Sequence, residues 1–141
     1  MSEEDDVPPV VPYLTVNRAL DAIEHYRRAF GAEVFLKYMD DDGKRVTHAA
    51  LGVFGTMIFL SDEFPEYADE VKSPPSVGGT TVALHINCGS PPDVDSAIAK
   101  AEAAGCRVTM PAADAHWGMR YGRVLDRFGH AWTFGAPLPK L

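Results

Sequence analysis

Between Asp114 and Phe134 the chain concentrates the side chains most able to do chemistry. Two of its five histidines (His116 and His130), both tryptophans and three arginines fall in that stretch, where an ordinary core segment would carry aliphatic residues at a fixed period. Trp117 offers a flat stacking surface from a glycine-containing loop, and loops on a rigid scaffold commonly carry binding residues. Arg120 has the fixed fork of donors that suits a carboxylate, phosphate or enolate oxygen, and it also reads as a brace paired with Asp114 or Asp126. His116 is either a surface residue or an addition to the same site. His130 sits in a tight turn and reads as a turn residue bonded to backbone.

Outside that stretch, His48 begins a presumed inner strand. It reads as a core or rim histidine with a hydrogen-bond partner, or as a base, a ligand anchor or a metal ligand. His25, next to Tyr26, is expected on the exposed side or edge of a helix with no functional role. Cys88 and Cys106 lie outside any Cys-x-x-Cys spacing and are expected to be free buried thiols. No glycine-rich phosphate loop precedes a helix, and neither Gly-x-Ser-x-Gly nor His-Glu-x-x-His occurs. Asp62 and Glu63 are adjacent, so on a strand their carboxylates point to opposite faces.

At 141 residues and 46% hydrophobic, the chain fits one domain, or two small repeats sharing a core. A net charge of −7 with no Lys/Arg cluster argues against a nucleic-acid partner. There is no apolar run of bilayer-spanning length and no basic-then-apolar leader, so a cytoplasmic protein with no membrane partner is expected. The acidic opening, residues 1–9, reads as a disordered tail.

The elements that must position these residues come in two cycles. Residues 10–16 read as a strand leading to Asn17 as N-cap, then Leu20, Ile23, Tyr26 and Phe30 recur at helical spacing until Gly31. Strands follow at 33–39, 45–53 and 56–60, closing a first βαβββ unit over residues 10–62. Residues 63–79 are rich in acid, proline and glycine and read as a linker, with Phe64 and Tyr67 able to fold over a cavity. The second unit, residues 80–137, repeats the order: a strand over 81–87, a capping box at Ser90-Pro91-Pro92-Asp93, a helix with Val94, Ile98 and Ala101 on one face, then strands at 107–110, 121–125 and 131–134. Alternation places His85 on the same face as Thr81 and Ala83, while Trp132 and Phe134 face the core opposite Thr133. The hexapeptides Phe54–Phe59 and Phe128–Thr133 occupy matching places. The fold class is therefore α+β, built from paired βαβββ repeats.

Those paired units, the helix ending Ala29-Phe30-Gly31-Ala32, the phrase Met57-Ile58-Phe59-Leu60-Ser61-Asp62-Glu63, and Trp117-Gly118-x-Arg120-x-Gly122 followed by Asp126-x-Phe128-Gly129-His130-x-Trp132 resemble the vicinal oxygen chelate superfamily, in its PhnB-like branch. The resemblance covers residues 10–137. It implies curled half-barrel sheets with ligands in their concave faces, and a homodimer. It also implies, for the superfamily's enzymes, a divalent metal held near the start of the first strand and on the last strand of each unit. Those places map to Val11, Phe59, Thr81 and Thr133, none a conventional strong ligand, so no metal or other cofactor is expected. The expected function is binding of a small organic molecule, with Trp117, His85, His48, Arg120, Thr81, Thr133 and Phe59 as its contacts. The alternative is a lyase, isomerase or dioxygenase using a relocated metal on His48 and His85, or acid–base chemistry at those histidines.

Overall fold

The computed structural model describes residues 7–67 and 70–140. The first part of the acidic tail, residues 1–6, lies outside them. The strands and helices follow the expected two cycles: β1 (Tyr13–Val16), α1 (Ala19–Phe30), β2 (Glu33–Met39), β3 (Val46–Val53) and β4 (Thr56–Asp62), a short α2 (Pro74–Val77), then β5 (Ala83–Asn87), α3 (Pro91–Ala103), β6 (Arg107–Ala115), β7 (Met119–Leu125) and β8 (Ala131–Pro137). They form two four-stranded sheets of the same topology, β1-β4-β3-β2 and β5-β8-β7-β6. In each, the first strand runs parallel to the last while the other pairs are antiparallel. The fold is α+β with two βαβββ repeats, as the pattern of residues requires.

One face of each sheet is covered by helix and the other is left open. Leu14, Val16, Leu51, Ile58 and Leu60 of the first sheet and Val124, Trp132 and Phe134 of the second join the helical residues in a single buried cluster. The first helix reaches across to the second repeat. The Phe30 ring lies 4.4 Å from that of Trp132, centroid to centroid, and the Tyr26 hydroxyl donates to Asp126 Oδ2 at 2.7 Å. Aromatic pairs of this kind add about 0.5–1.5 kcal/mol beyond the area they bury.

Two buried carboxylates fix the joints. Asp62, 5% exposed, accepts from Ala19 N (2.9 Å) at the start of α1 and from Val46 N (2.8 Å) at the start of β3. Asp126, 4% exposed, accepts from Phe128 N (2.8 Å) and His130 N (3.1 Å) through Oδ1, and from Tyr26 Oη and Trp132 Nε1 (2.9 Å) through Oδ2. The Asp-x-Phe-Gly-His-x-Trp motif is thus a hydrogen-bonding unit that closes the β7–β8 turn and ties it to α1.

Several expectations are corrected. Asn17 does not cap α1. The cap position is Arg18, which makes no side-chain cap bond, and the first helical N–H goes to Asp62 instead. Ser90 likewise makes no side-chain cap bond at α3, whose entry rests on Pro91 and a backbone turn to Asp93. His25 is 3% exposed rather than on an outer face, because α1 packs on the far end of α3 and on the β7–β8 turn. Its Nε2 accepts from Arg127 N (3.3 Å) and lies 3.6 Å from Cys106 Sγ. Burial pushes the Cys106 thiol up to about 12, and Cys88 is half-buried. Strand β6 extends to Ala115, through residues read as loop, and the linker contains α2.

Candidate functional site

Strand alternation sorts the remaining polar and aromatic residues onto the open faces. On the second sheet, His85 pairs with Thr133 across the parallel β5–β8 ladder, and Thr133 pairs with Arg123 of β7. Residues directly opposite one another share a face. His85, Thr133, Arg123 and the i−2 neighbour Tyr121 therefore lie on one surface, away from the helices. His85 Nδ1 and Thr133 Oγ1 are 2.6 Å apart, and the His85 ring stacks on Tyr121 at 6.2 Å with 16° between planes. Gly135 makes room for this: a Cβ there would sit 3.0 Å from His85 Cε1. The Tyr121 hydroxyl accepts from Arg123 Nε at 2.9 Å. Trp117, in the β6–β7 turn, sets its ring edge-on to Tyr121 at 5.6 Å and stays 57% exposed, and His116 flanks it at 5.1 Å.

On the first sheet, Tyr13 pairs with Phe59, and Phe59 with Ala50. The Tyr13 hydroxyl is 2.7 Å from His48 Nδ1, and the Phe59 ring edges both rings, at 5.5 Å from Tyr13 and 4.8 Å from His48. Burial lowers the pKa of His48 and raises that of Tyr13, the latter partly offset by the Ser61 hydroxyl. Burial thus favours the uncharged imidazole, and its Nδ1 is engaged by the Tyr13 hydroxyl. Beside this pair a cavity of about 540 Å³ runs under the linker, lined by Tyr13, Thr15, Ser61, Phe64, Tyr67 and Val71. The linker is pinned there by Arg45, whose guanidinium sits 4.2 Å from the Phe64 ring centroid and pairs with Asp42 and Glu66 at 2.8 Å each.

The structure brings together His85, Thr133 and Trp117 on one sheet and His48 with Phe59 on the other. It separates the remaining two expected contacts from them. Thr81 precedes β5, in an exposed bend, because the strand begins only at Ala83. Arg120 points to the helix side of β7, where its guanidinium pairs with Asp95 of α3 (2.8 and 3.0 Å) and with Asp114 (3.1 Å), the brace that was one of its readings. Sequence reasoning missed Tyr13, Tyr121 and Arg123. The last two carried a signal, since alternation from Gly122 and Val124 puts them on the open face.

The ladders also relocate the places where the superfamily's enzymes hold metal. Phe59 faces Tyr13 rather than Val11, and Thr133 faces His85 rather than Thr81. A phenyl ring, a phenol, an aliphatic hydroxyl and one imidazole whose Nδ1 is engaged do not fit a divalent cation that wants imidazole and carboxylate donors. Among the described residues no group of three or more His, Cys, Asp or Glu side chains gathers at metal-binding distance, and His48 and His85 stand on different sheets. The same registers match Tyr13 with His85 and, two residues along their neighbouring strands, His48 with Tyr121. The two open faces therefore carry a tyrosine and a histidine at corresponding positions, in exchanged order, and Tyr38 joins the first from beside His48.

Paired βαβββ units with helix on one face and a polar, aromatic open face on the other define a two-repeat α+β scaffold. Residues 8–134 match the model of the Glyoxalase/Bleomycin resistance protein/Dioxygenase superfamily, and the chain belongs to that family. An uncharacterised protein of Mycobacterium bovis is 38% identical over 132 residues, which cover 93% of this chain and 84% of that protein. TioX from a Micromonospora species superposes with a TM-score of 0.70 at 26% identity, over 92% of this chain and 98% of TioX. A PhnB protein from Bacillus cereus, 18% identical with a TM-score of 0.68 over 92% and 99% of the two chains, shares the fold.

Proposed function

We propose that this protein binds a small organic molecule on the open faces of its sheets through stacking and hydrogen bonds rather than through a metal. The observation that carries the reading is the cluster on the second sheet, in which His85, Thr133, Tyr121 and Trp117 converge on one surface. An exposed indole beside a hydrogen-bonded imidazole offers an apolar platform and an orienting group, the usual division of labour in small-molecule sites. We place the protein in the PhnB-like branch, as a cytoplasmic homodimer. Exposed Val34, Tyr38, Met39 and Met110 leave apolar surface for a second copy to cover. Among the described residues no helix is long and apolar enough to cross a membrane.

A thermal-shift screen of aromatic metabolites tests the binding reading: a hit should lose affinity in Trp117→Phe and His85→Ala while Trp117→Phe keeps the wild-type melting temperature. Unchanged affinity in both variants would remove this surface as the site. Elemental analysis of protein purified without chelator should find less than one equivalent of zinc, nickel, manganese or iron per chain. A full equivalent lost on His48→Ala or His85→Ala would favour the metalloenzyme alternative. A second reading, proton transfer at His48, draws on the Tyr13 hydrogen bond that engages its Nδ1. It requires turnover that falls in both His48→Gln and Tyr13→Phe.

A further inference from the structure

We infer that the molecule taken up by the second sheet is an anion, an aromatic or other planar acid whose carboxylate or equivalent oxyanion is read by Arg123 with support from Arg107. This rests on the binding reading above and narrows it to a ligand class.

Charge is sorted between the two faces of the second sheet. The chain carries a net charge of −7, yet the four strands of the second sheet contain a single acid, Asp114, together with Arg107, Arg120 and Arg123. Asp114 stands opposite Arg120, on the helix side, and the two are paired there. The open face is left with cations and no strand carboxylate. Arg123 lies there opposite Thr133, and Arg107 lies opposite Leu125, the i+2 neighbour of Arg123 on the same face. Neither has a carboxylate partner among the described residues, and the one hydrogen bond of the Arg123 guanidinium runs from Nε to the Tyr121 hydroxyl.

That bond has a geometric consequence. It fixes the fork while leaving the two terminal nitrogens uncommitted, the arrangement that meets a carboxylate with parallel bonds. His85 and Thr133 stand across the ladder, His85 adding a second donor to an incoming oxyanion when its Nδ1 accepts from the threonine. Trp117 and Tyr121 supply the ring surface for a planar body. The first sheet is different. Of its nearest cations, Arg45 is consumed by Asp42, Glu66 and the Phe64 ring, and its cavity holds Asp62, whose oxygens are taken by backbone N–H groups. The strands of the first sheet carry no arginine, so of the two open faces it is the second that suits an acid.

The test uses the full chain and two probes of one shape, naphthalene-2-carboxylate and its neutral counterpart naphthalene-2-carboxamide, titrated calorimetrically and by Trp117 emission. The carboxylate should bind at least about tenfold more tightly than the amide, the advantage expected of a charge-assisted contact. That preference should collapse in Arg123→Gln, shrink in Arg107→Gln and fall as salt is raised, and it should survive in Arg120→Gln, whose guanidinium lies on the other side of the sheet. Equal affinity for the two probes overturns the anion reading while leaving a binding face intact. A carboxylate preference that persists in the Arg123→Gln, Arg107→Gln double variant overturns the assignment of these arginines. Binding of neither probe overturns the inference and leaves the broader function to its own screen.

Discussion

Replacing Asp126 by asparagine should destabilise the fold through one identifiable atom. In the native turn Oδ1 accepts from two backbone N–H groups while Oδ2 accepts from the Tyr26 hydroxyl and the Trp132 indole. An asparagine can keep its oxygen toward the backbone pair, which turns its NH2 toward the other two. The Tyr26 hydroxyl can rotate and accept; the indole N–H cannot, since it is a donor only. Trp132 is fully buried, so no water takes over, and an orphaned buried donor costs about 1–3 kcal/mol. Asp126→Asn should therefore lose about that much in urea unfolding followed by far-UV circular dichroism. In a Trp132→Phe background the donor is already gone, and the same substitution should cost less, giving a coupling of about 1 kcal/mol or more. An additive cycle, or a loss under about 0.5 kcal/mol in the single variant, would refute the assignment of Asp126 as the acceptor that holds the turn.

Asp62→Ala should cost about 1–3 kcal/mol by the same assay, because the buried N–H groups of Ala19 and Val46 lose their acceptor. Burial holds the His25 pKa below its usual value, so below about pH 6.5 the unfolded chain takes up a proton that the folded chain resists; stability should fall as pH drops from about 7 to 5, and less steeply in His25→Gln. Matching slopes in the two proteins would remove His25 as the cause. Trp117→Phe should leave the melting temperature within about 2 °C of wild type, as expected of a mostly exposed ring. Sedimentation at micromolar concentration should give the mass of two chains, and a single-chain mass would contradict the homodimer.

The two-cycle architecture was legible because each unit announces itself locally: helical spacing from Leu20 to Phe30 ends at Gly31, which indeed takes the left-handed cap conformation with φ 67°, and alternation places Trp132 in the core. The cap expected at Asn17 failed because a distant residue supplied the acceptor. Nothing near Asn17 reveals that Asp62, on another strand, takes the first helical N–H. His25 was misplaced for a related reason, since a single helix shows which side meets its own sheet but not what a neighbouring repeat lays over the other side. At the site, residue types were readable and partners were not. Arg120 drew attention through its motif, yet strand parity turns it toward α3 and gives the open face to Arg123 instead.

The reach of α1 into the second repeat bears on how the chain can be divided. Tyr26 and Phe30 bury against Asp126 and Trp132, so neither half carries a complete interior, although the linker between them looks like a natural cutting point. Residues 10–62 produced alone would present those rings to water, and residues 80–137 alone would leave Trp132 and the Asp126 carboxylate uncovered. A chain nicked within 63–79 is another matter. Its two fragments still own matching surfaces, and they should recombine on mixing into one particle that melts in one step, although neither fragment has a transition of its own.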